Sequence, residues 1–285
     1  MPAFVERFYL LPDGRTIACQ QKQSSKNRSW FVGLHGWLDN SNSLIPLTQQ
    51  FSGYNCLLPD LSGHGLSSHR SKDSFYHAID WVYDLHQLLK ILKIDNLVLC
   101  GHSLGGMLAA LYAGIFPTQV SQLILLDSAA GFTLPTTDFV KNLQTSFLSR
   151  DKFSGRESVK WRPLKLLPKL YQTRAIHSQL TIAQAEFLLQ RNLLIKEDCF
   201  SWRSDAKLQA VSPLRLTDEQ VEELIRSLSM PVHIILAQNG LADIAAAVHQ
   251  RLNYFKQAKC YKLPGGHHFH LQNPVDCATL LKKIM

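Results

Sequence analysis

Asn96-Leu97-Val98-Leu99-Cys100-Gly101-His102-Ser103-Leu104-Gly105-Gly106 contains an apolar run, a glycine-flanked serine and the start of a small-residue segment that continues to Phe116. The run at 97–100 is short, continuous and β-rich, as expected for a strand buried on both faces of a parallel sheet. The segment from Leu104 reads as a helix that stops before Pro117. A serine between them stands on a sharp strand-to-helix turn, its hydroxyl pushed into the open at the carboxyl edge of the sheet. Gly101 and Gly105 remove side chains that would collide with the neighbouring strand and helix. The helix start adds a positive dipole end where a negative oxygen must develop. A plain tight turn can share the pentapeptide, but the strand before it and the helix after it point to a nucleophile.

The same alternation extends outward. Apolar runs at Trp30–Leu34, Tyr54–Leu58 and Gln122–Leu126 read as further buried strands. Tyr76 to Ile94 reads as a helix, with Ile79, Val82, Leu85, Leu88, Leu89 and Leu92 recurring at three and four. Alternating strand and helix with short connections implies right-handed crossovers and a doubly wound α/β sheet. The pattern breaks after Asp127. From about Gly131 to Leu228 the chain is basic and mostly helical, with Thr181–Leu194 its clearest helix. Strand character resumes at Pro231–Leu236 and Lys259–Leu263, and a last helix follows Asn273-Pro274. The expected organisation is a core of 1–131 and 229–285 with a cap of 132–228 inserted in it.

With 285 residues, 46% hydrophobic and 18% charged, the composition is that of a globular chain rather than a disordered or fibrous one. No apolar run approaches the ~20 residues needed to cross a bilayer. The N-terminus lacks a basic stretch followed by an apolar core, so a cytoplasmic location is expected. Six widely spaced cysteines read as reduced, buried apolar residues rather than a disulfide framework or zinc ribbon. The net charge of +8 is largely local, because Asp138 to Arg174 holds nine Lys or Arg against three Asp or Glu. A solvated face is the plainer reading of that stretch, and an anionic substrate the sharper one. No nucleic-acid signature accompanies it, so no nucleic-acid partner is expected.

A serine hydroxyl needs a base from elsewhere. His267 follows the run at 259–263 on the loop Pro264-Gly265-Gly266 and is the expected base, with His268 and His270 as alternatives. The base needs a carboxylate to fix its tautomer. Asp243, the acid of the loop after 231–237, is the expected partner; Asp127, at the end of the preceding strand, is the rival. A developing oxyanion needs amide donors, expected from Trp37 in His35-Gly36-Trp37 and from Leu104. Substrate contacts are expected from His35, His102, Phe132, Trp202 and Arg203. Phe132, Phe139, Phe147, Trp161 and Trp202 offer an apolar acyl pocket, though as a set they read rather as core.

Leu34-His35-Gly36-Trp37-Leu38-Asp39-Asn40, Asp60-Leu61-Ser62-Gly63-His64-Gly65-Leu66-Ser67, Gly101–Gly106, Gly240–Asp243 and Gly265-Gly266-His267-His268-Phe269-His270 together resemble the α/β-hydrolase superfamily, and within it the serine hydrolase-like proteins. The resemblance covers the core and, more weakly, Trp202–Asp205 and Ser212–Leu216. It implies the α/β-hydrolase fold, a mostly parallel eight-stranded sheet flanked by helices with an inserted helical cap. It also implies a serine esterase without metal or cofactor that acts on a small-molecule acyl substrate as a monomer or homodimer. A nucleophilic serine argues against the dehalogenase and epoxide hydrolase neighbours, which use aspartate at this turn. Most members place the acid where Gly240 stands here, so Asp243 comes three positions late. The bulged loop presents Asp243, or the role has moved to Asp127. A catalytically silent acyl-ligand binding protein, a C–C hydrolase and an acyltransferase are the alternatives on this fold.

Overall fold

The computed structural model describes residues 3–24, 29–153 and 160–285. Eight strands form one sheet in the order β1-β2-β4-β3-β5-β6-β10-β11. Its parallel part runs through β4 (Asn55–Pro59), β3 (Trp30–Leu34), β5 (Leu97–His102), β6 (Val120–Leu126), β10 (Val232–Asn239) and β11 (Ala258–Gly266). These are the six runs read from the sequence, each displaced by a few residues at most. β1 (Val5–Leu10) and β2 (Thr16–Lys22) add an antiparallel hairpin at one edge, β2 pairing with β4. That hairpin carries no continuous apolar run, because the side chains of β1 are almost all exposed.

The strands are continuously apolar because both faces are covered. Val32, Leu97, Leu99, Leu123 and Leu125 pack on one face with Leu85 and Leu88 of α2 (Ala78–Leu92) and Leu108 of α3 (Leu104–Ile115). The alternate residues Phe31, Val98, Cys100, Ile124 and Leu126 pack on the other, against Ile45 of α1 (Ile45–Thr48) and Cys277 and Leu281 of α10 (Pro274–Ile284). The period of two thus sorts the central strands between two cores. Ile79 departs from the expected apolar stripe of α2: it is exposed, while Trp81 turns inward instead.

Between β6 and β10 the chain leaves the sheet. It forms α4 (Phe139–Asp151), α5 (Leu167–Ser178), α6 (Ile182–Gln190) and α7 (Asp218–Ser227). The segment is mostly helical, as expected, but it also holds strands that the sequence did not suggest. A small antiparallel sheet joins β7 (Arg162–Pro163), β9 (Cys199–Trp202) and β8 (Leu193–Lys196). The expected helix 181–194 therefore ends at Gln190, and Leu193 and Leu194 enter a strand. Asn40 and Asn42 of the core donate to the carbonyls of Leu188 and Phe187 at 2.8 and 2.9 Å. Arg191 reaches the fully buried Asp60 and the edge-strand Glu6. Four cysteines are buried as expected, but Cys199 is half-buried and Cys260 exposed. Arg156 and Glu157 of the basic stretch lie outside the described residues.

Candidate active site

β5 delivers Ser103 into an abrupt reversal. Its backbone has φ 51° and ψ −115°, a strained conformation for a residue with a side chain, and α3 starts at the next residue. The reversal requires glycine on both sides. A Cβ on Gly101 would lie 2.2 Å from the Gly105 carbonyl oxygen, and one on Gly105 would lie 2.3 Å from that of Leu34. The second contact shows how closely the first turn of α3 approaches the exit of β3. Leu104, at the start of α3, and Trp37, just beyond β3, therefore share one corner of the sheet edge. The Trp37 indole is half exposed and donates to the Leu208 carbonyl at 3.1 Å, which ties this corner to the segment after β9.

β11 ends at Gly266 and brings His267 to the same edge. Its Nδ1 bonds to Oδ2 of Asp127 at 2.6 Å. Asp127 follows β6 directly, is buried, and has φ 43°. Its other oxygen accepts from the Ala237 amide at 3.0 Å. Asp243 is exposed in the first turn of α8 (Ala242–Arg251). The expectation that Asp243 pairs with the histidine is corrected here: His267 takes its rival. The physical reason stands at Gly240, where a Cβ would lie 2.6 Å from the Asp127 carboxylate. The position where the resemblance implies an acid is left empty of side chain, and the carboxylate from the adjacent strand fills it.

Two expected substrate contacts turn out to be internal props. His35 is fully buried; its Nε2 accepts from the Leu61 amide at 3.0 Å and its Nδ1 donates to the Gly36 carbonyl at 2.8 Å. Burial holds it below the ordinary histidine pKa. His102 is also buried and donates from Nε2 to the His267 carbonyl at 2.9 Å, bracing the loop that carries His267. Burial and the neighbouring His270, His267 and His268 push its pKa well down. Arg203 donates to the Leu193 carbonyl at 2.9 Å and so stitches β8 to the end of β9. Trp202 and Phe132 are partly exposed, as are Phe139, Phe147 and Trp161, so none of the five belongs to the core.

Behind the site lies a polar cluster that the sequence did not announce. Asp39, two residues after Trp37, is buried, yet bonds to Arg174 of α5 at 2.5 Å and to Nε2 of His268 at 3.2 Å. Burial would raise its pKa, but His268 and Arg174 outweigh that and hold the carboxyl well below the usual range. Asp39, His102 and His268 offer ligand atoms within 4.8 Å of one another. The Arg174 guanidinium stands among them, 3.3 Å from His268 Nε2, and supplies positive charge to the carboxylate directly. His270 is buried against Ser43, its Nε2 2.9 Å from the hydroxyl, and burial drives its pKa down to about 3. The cluster fastens α5 to the loops on which Trp37 and His267 sit.

A serine on a strained elbow and a histidine held by a buried carboxylate both stand at the carboxyl edge of the doubly wound sheet, residue types that can serve hydrolytic chemistry. The chain belongs to the α/β-hydrolase fold family, whose pattern matches residues 30–274. Within it the chain groups with the serine hydrolase-like proteins. It is 28% identical to serine hydrolase-like protein 2 of Homo sapiens over 280 residues, 88% of this chain and 85% of that one. It is 24% identical to the serine hydrolase-like protein of Danio rerio over 258 residues, 87% and 78% of the two chains. Among solved structures, a hypothetical protein from Pseudomonas aeruginosa PAO1 superposes with a TM-score of 0.87 at 27% identity, covering 98% of this chain and 97% of that one. The thioesterase domain from the curacin biosynthetic pathway shares the fold, with a TM-score of 0.84 at 24% identity and 99% of each chain covered. No helix among the described residues is long and apolar enough to cross a membrane.

Proposed function

We propose that the protein is a serine hydrolase that cleaves a carboxylic ester, or a related acyl bond, of a small molecule through an acyl-enzyme. Ser103 Oγ attacks the acyl carbon while His267 Nε2 takes its proton. The amides of Trp37 and Leu104 hold the oxyanion, and residues 132–228 act as the cap over the site. Collapse of the tetrahedral intermediate breaks the acyl–oxygen bond, and His267 returns the proton to the departing alkoxide. Water then attacks the acyl carbon and passes a proton to His267; the bond between that carbon and Ser103 Oγ breaks, the proton goes back to Oγ, and the carboxylic acid departs.

The observation that carries this reading is the 2.6 Å bond between His267 Nδ1 and Asp127. With its proton committed to Nδ1, the imidazole presents a basic Nε2. The same bond weakens the alternative of a catalytically silent ligand-binding protein, whose support was an acid standing too late at Asp243. The test is fluorophosphonate labelling together with hydrolysis of p-nitrophenyl esters and thioesters from acetyl to decanoyl. Rapid labelling and turnover that both vanish in Ser103→Ala support the proposal, and the chain-length profile sizes the acyl pocket. A wild-type protein inert to the probe and to every substrate overturns it in favour of ligand binding.

A further inference from the structure

The helix α4 meets the protein through polar side chains and leaves large apolar ones exposed. The side turned to the protein is polar: Asn142 donates to the carbonyls of Ser212 and Pro213, Ser146 to that of Val211, and Ser149 accepts from the Val211 amide. Arg150 lies on the same side, over the Phe75 ring. The side turned away carries Val140, Phe147 and Leu148, which are 75, 59 and 59% exposed, interspersed with the exposed Lys141, Gln144, Thr145 and Asp151. A surface helix ordinarily buries its apolar stripe and wets its polar one. Here polar side chains are spent on the protein, and Val140, Phe147 and Leu148 are left among polar neighbours on the exposed side.

The charge of the segment that contains α4 says what its exposed apolar side chains meet. Between 138 and 174 the exposed cations are Lys141, Lys152, Lys160, Arg162, Lys165 and Lys169, against the exposed acids Asp138 and Asp151 among the described residues. Trp161 and Leu166, each 41% exposed, are interleaved with them. Exposed aliphatic and aromatic side chains set among lysines complement a surface that is anionic at its face and apolar beneath it. Two copies of the chain meeting through this face would bring like charges together. A nucleic acid would satisfy the cations but has no use for Val140 and Leu148, which cannot stack on bases. We propose that the outward face of α4, with the basic stretch that follows it, docks the protein on an anionic lipid surface.

Co-sedimentation of the full chain with vesicles of phosphatidylcholine alone, and of phosphatidylcholine mixed with phosphatidylglycerol, tests the proposal. Binding is expected to the mixed vesicles and to weaken as salt rises. Val140→Ser with Leu148→Ser should lower the partition coefficient roughly tenfold, by removing apolar side chains from the interface. Lys141→Gln with Lys152→Gln should lower it by roughly fivefold per charge. Both pairs alter exposed positions, so the thermal unfolding midpoint should stay at the wild-type value, which separates lost docking from lost folding. Absence of binding to the mixed vesicles, or binding that neither pair alters, overturns the proposal. So does concentration-dependent dimerisation, or duplex DNA binding, that the Val140/Leu148 pair abolishes while vesicles are ignored.

Discussion

Replacing Asp127 by asparagine isolates the group that orients the base. The carboxylate is held from two sides: Oδ1 accepts from the Ala237 amide at 3.0 Å, and Oδ2 meets His267 Nδ1 at 2.6 Å. An asparagine must keep its carbonyl oxygen on the Ala237 amide, which leaves its NH2 group facing the imidazole. That group only donates, so Nδ1 must accept and the imidazole proton moves to Nε2. The base then carries its proton on the side from which it should take one. A wrong tautomer of this kind lowers kcat by roughly 10³- to 10⁴-fold, or about 4–5.5 kcal/mol in the barrier. The assay is p-nitrophenyl ester hydrolysis, with circular dichroism to show that the variant is folded. Asp243→Asn, at an exposed helix position, should retain wild-type kcat. Gly240→Asp should be inactive alone, because its Cβ would sit 2.6 Å from the Asp127 carboxylate, and should recover activity in an Asp127→Gly background. Near-normal turnover in Asp127→Asn, with the loss appearing in Asp243→Asn instead, would refute the reasoning.

Three further outcomes follow from the packing. Burial holds His64 and His270 at a pKa of about 3, well below the ordinary 6.5. The unfolded chain therefore takes up protons that the native state refuses, and stability is lost as pH falls below about 6.5, by up to about 1.4 kcal/mol per pH unit for each histidine. Denaturant midpoints measured from neutral pH downward check this, and His270→Gln should flatten the slope; a flat wild-type profile counts against it. Gly105→Ala should cost about 3 kcal/mol or more in urea unfolding, since the added Cβ meets the carbonyl oxygens of Leu34 and His35 at 2.3 and 2.6 Å. Arg191→Met leaves the fully buried Asp60 carboxylate without its cation, and should cost about 3–5 kcal/mol in the same assay.

Local sequence determined a large part of this protein. Five buried strands were readable as apolar runs because a sheet covered on both faces allows little polar alternation, and the edge strand β11, mostly exposed, was readable from the shorter run at Lys259–Leu263. The elbow was readable because its demands are local: two glycines, a serine, a strand before and a helix after. The edge hairpin β1–β2 was not readable, since β1 is almost all exposed and β2 buries polar Gln21 and Lys22 beside its short apolar stretch. Nor was the short strand β8, whose Leu193 continues the helical spacing of α6 until its pairing with Trp202 takes over.

What tertiary structure alone decided is which distant groups meet. β6 and β10 pair in parallel, with Leu126 opposite Ile235, and this register sets Asp127 beside the Ala237 amide and against the vacant Cβ position of Gly240. From the sequence, Asp127 and Asp243 were both acids at the ends of strands, and nothing local separated them. His35 and His102 looked like site residues because they neighbour the catalytic motifs in the chain. Both point into the protein, where the Leu61 amide and the His267 carbonyl hold them. Asp39 likewise depends on Arg174, which stands on a helix far along the chain. Strands and turns follow from side chains a few residues apart, whereas a hydrogen bond between separate strands or helices exists only once the register between them is fixed.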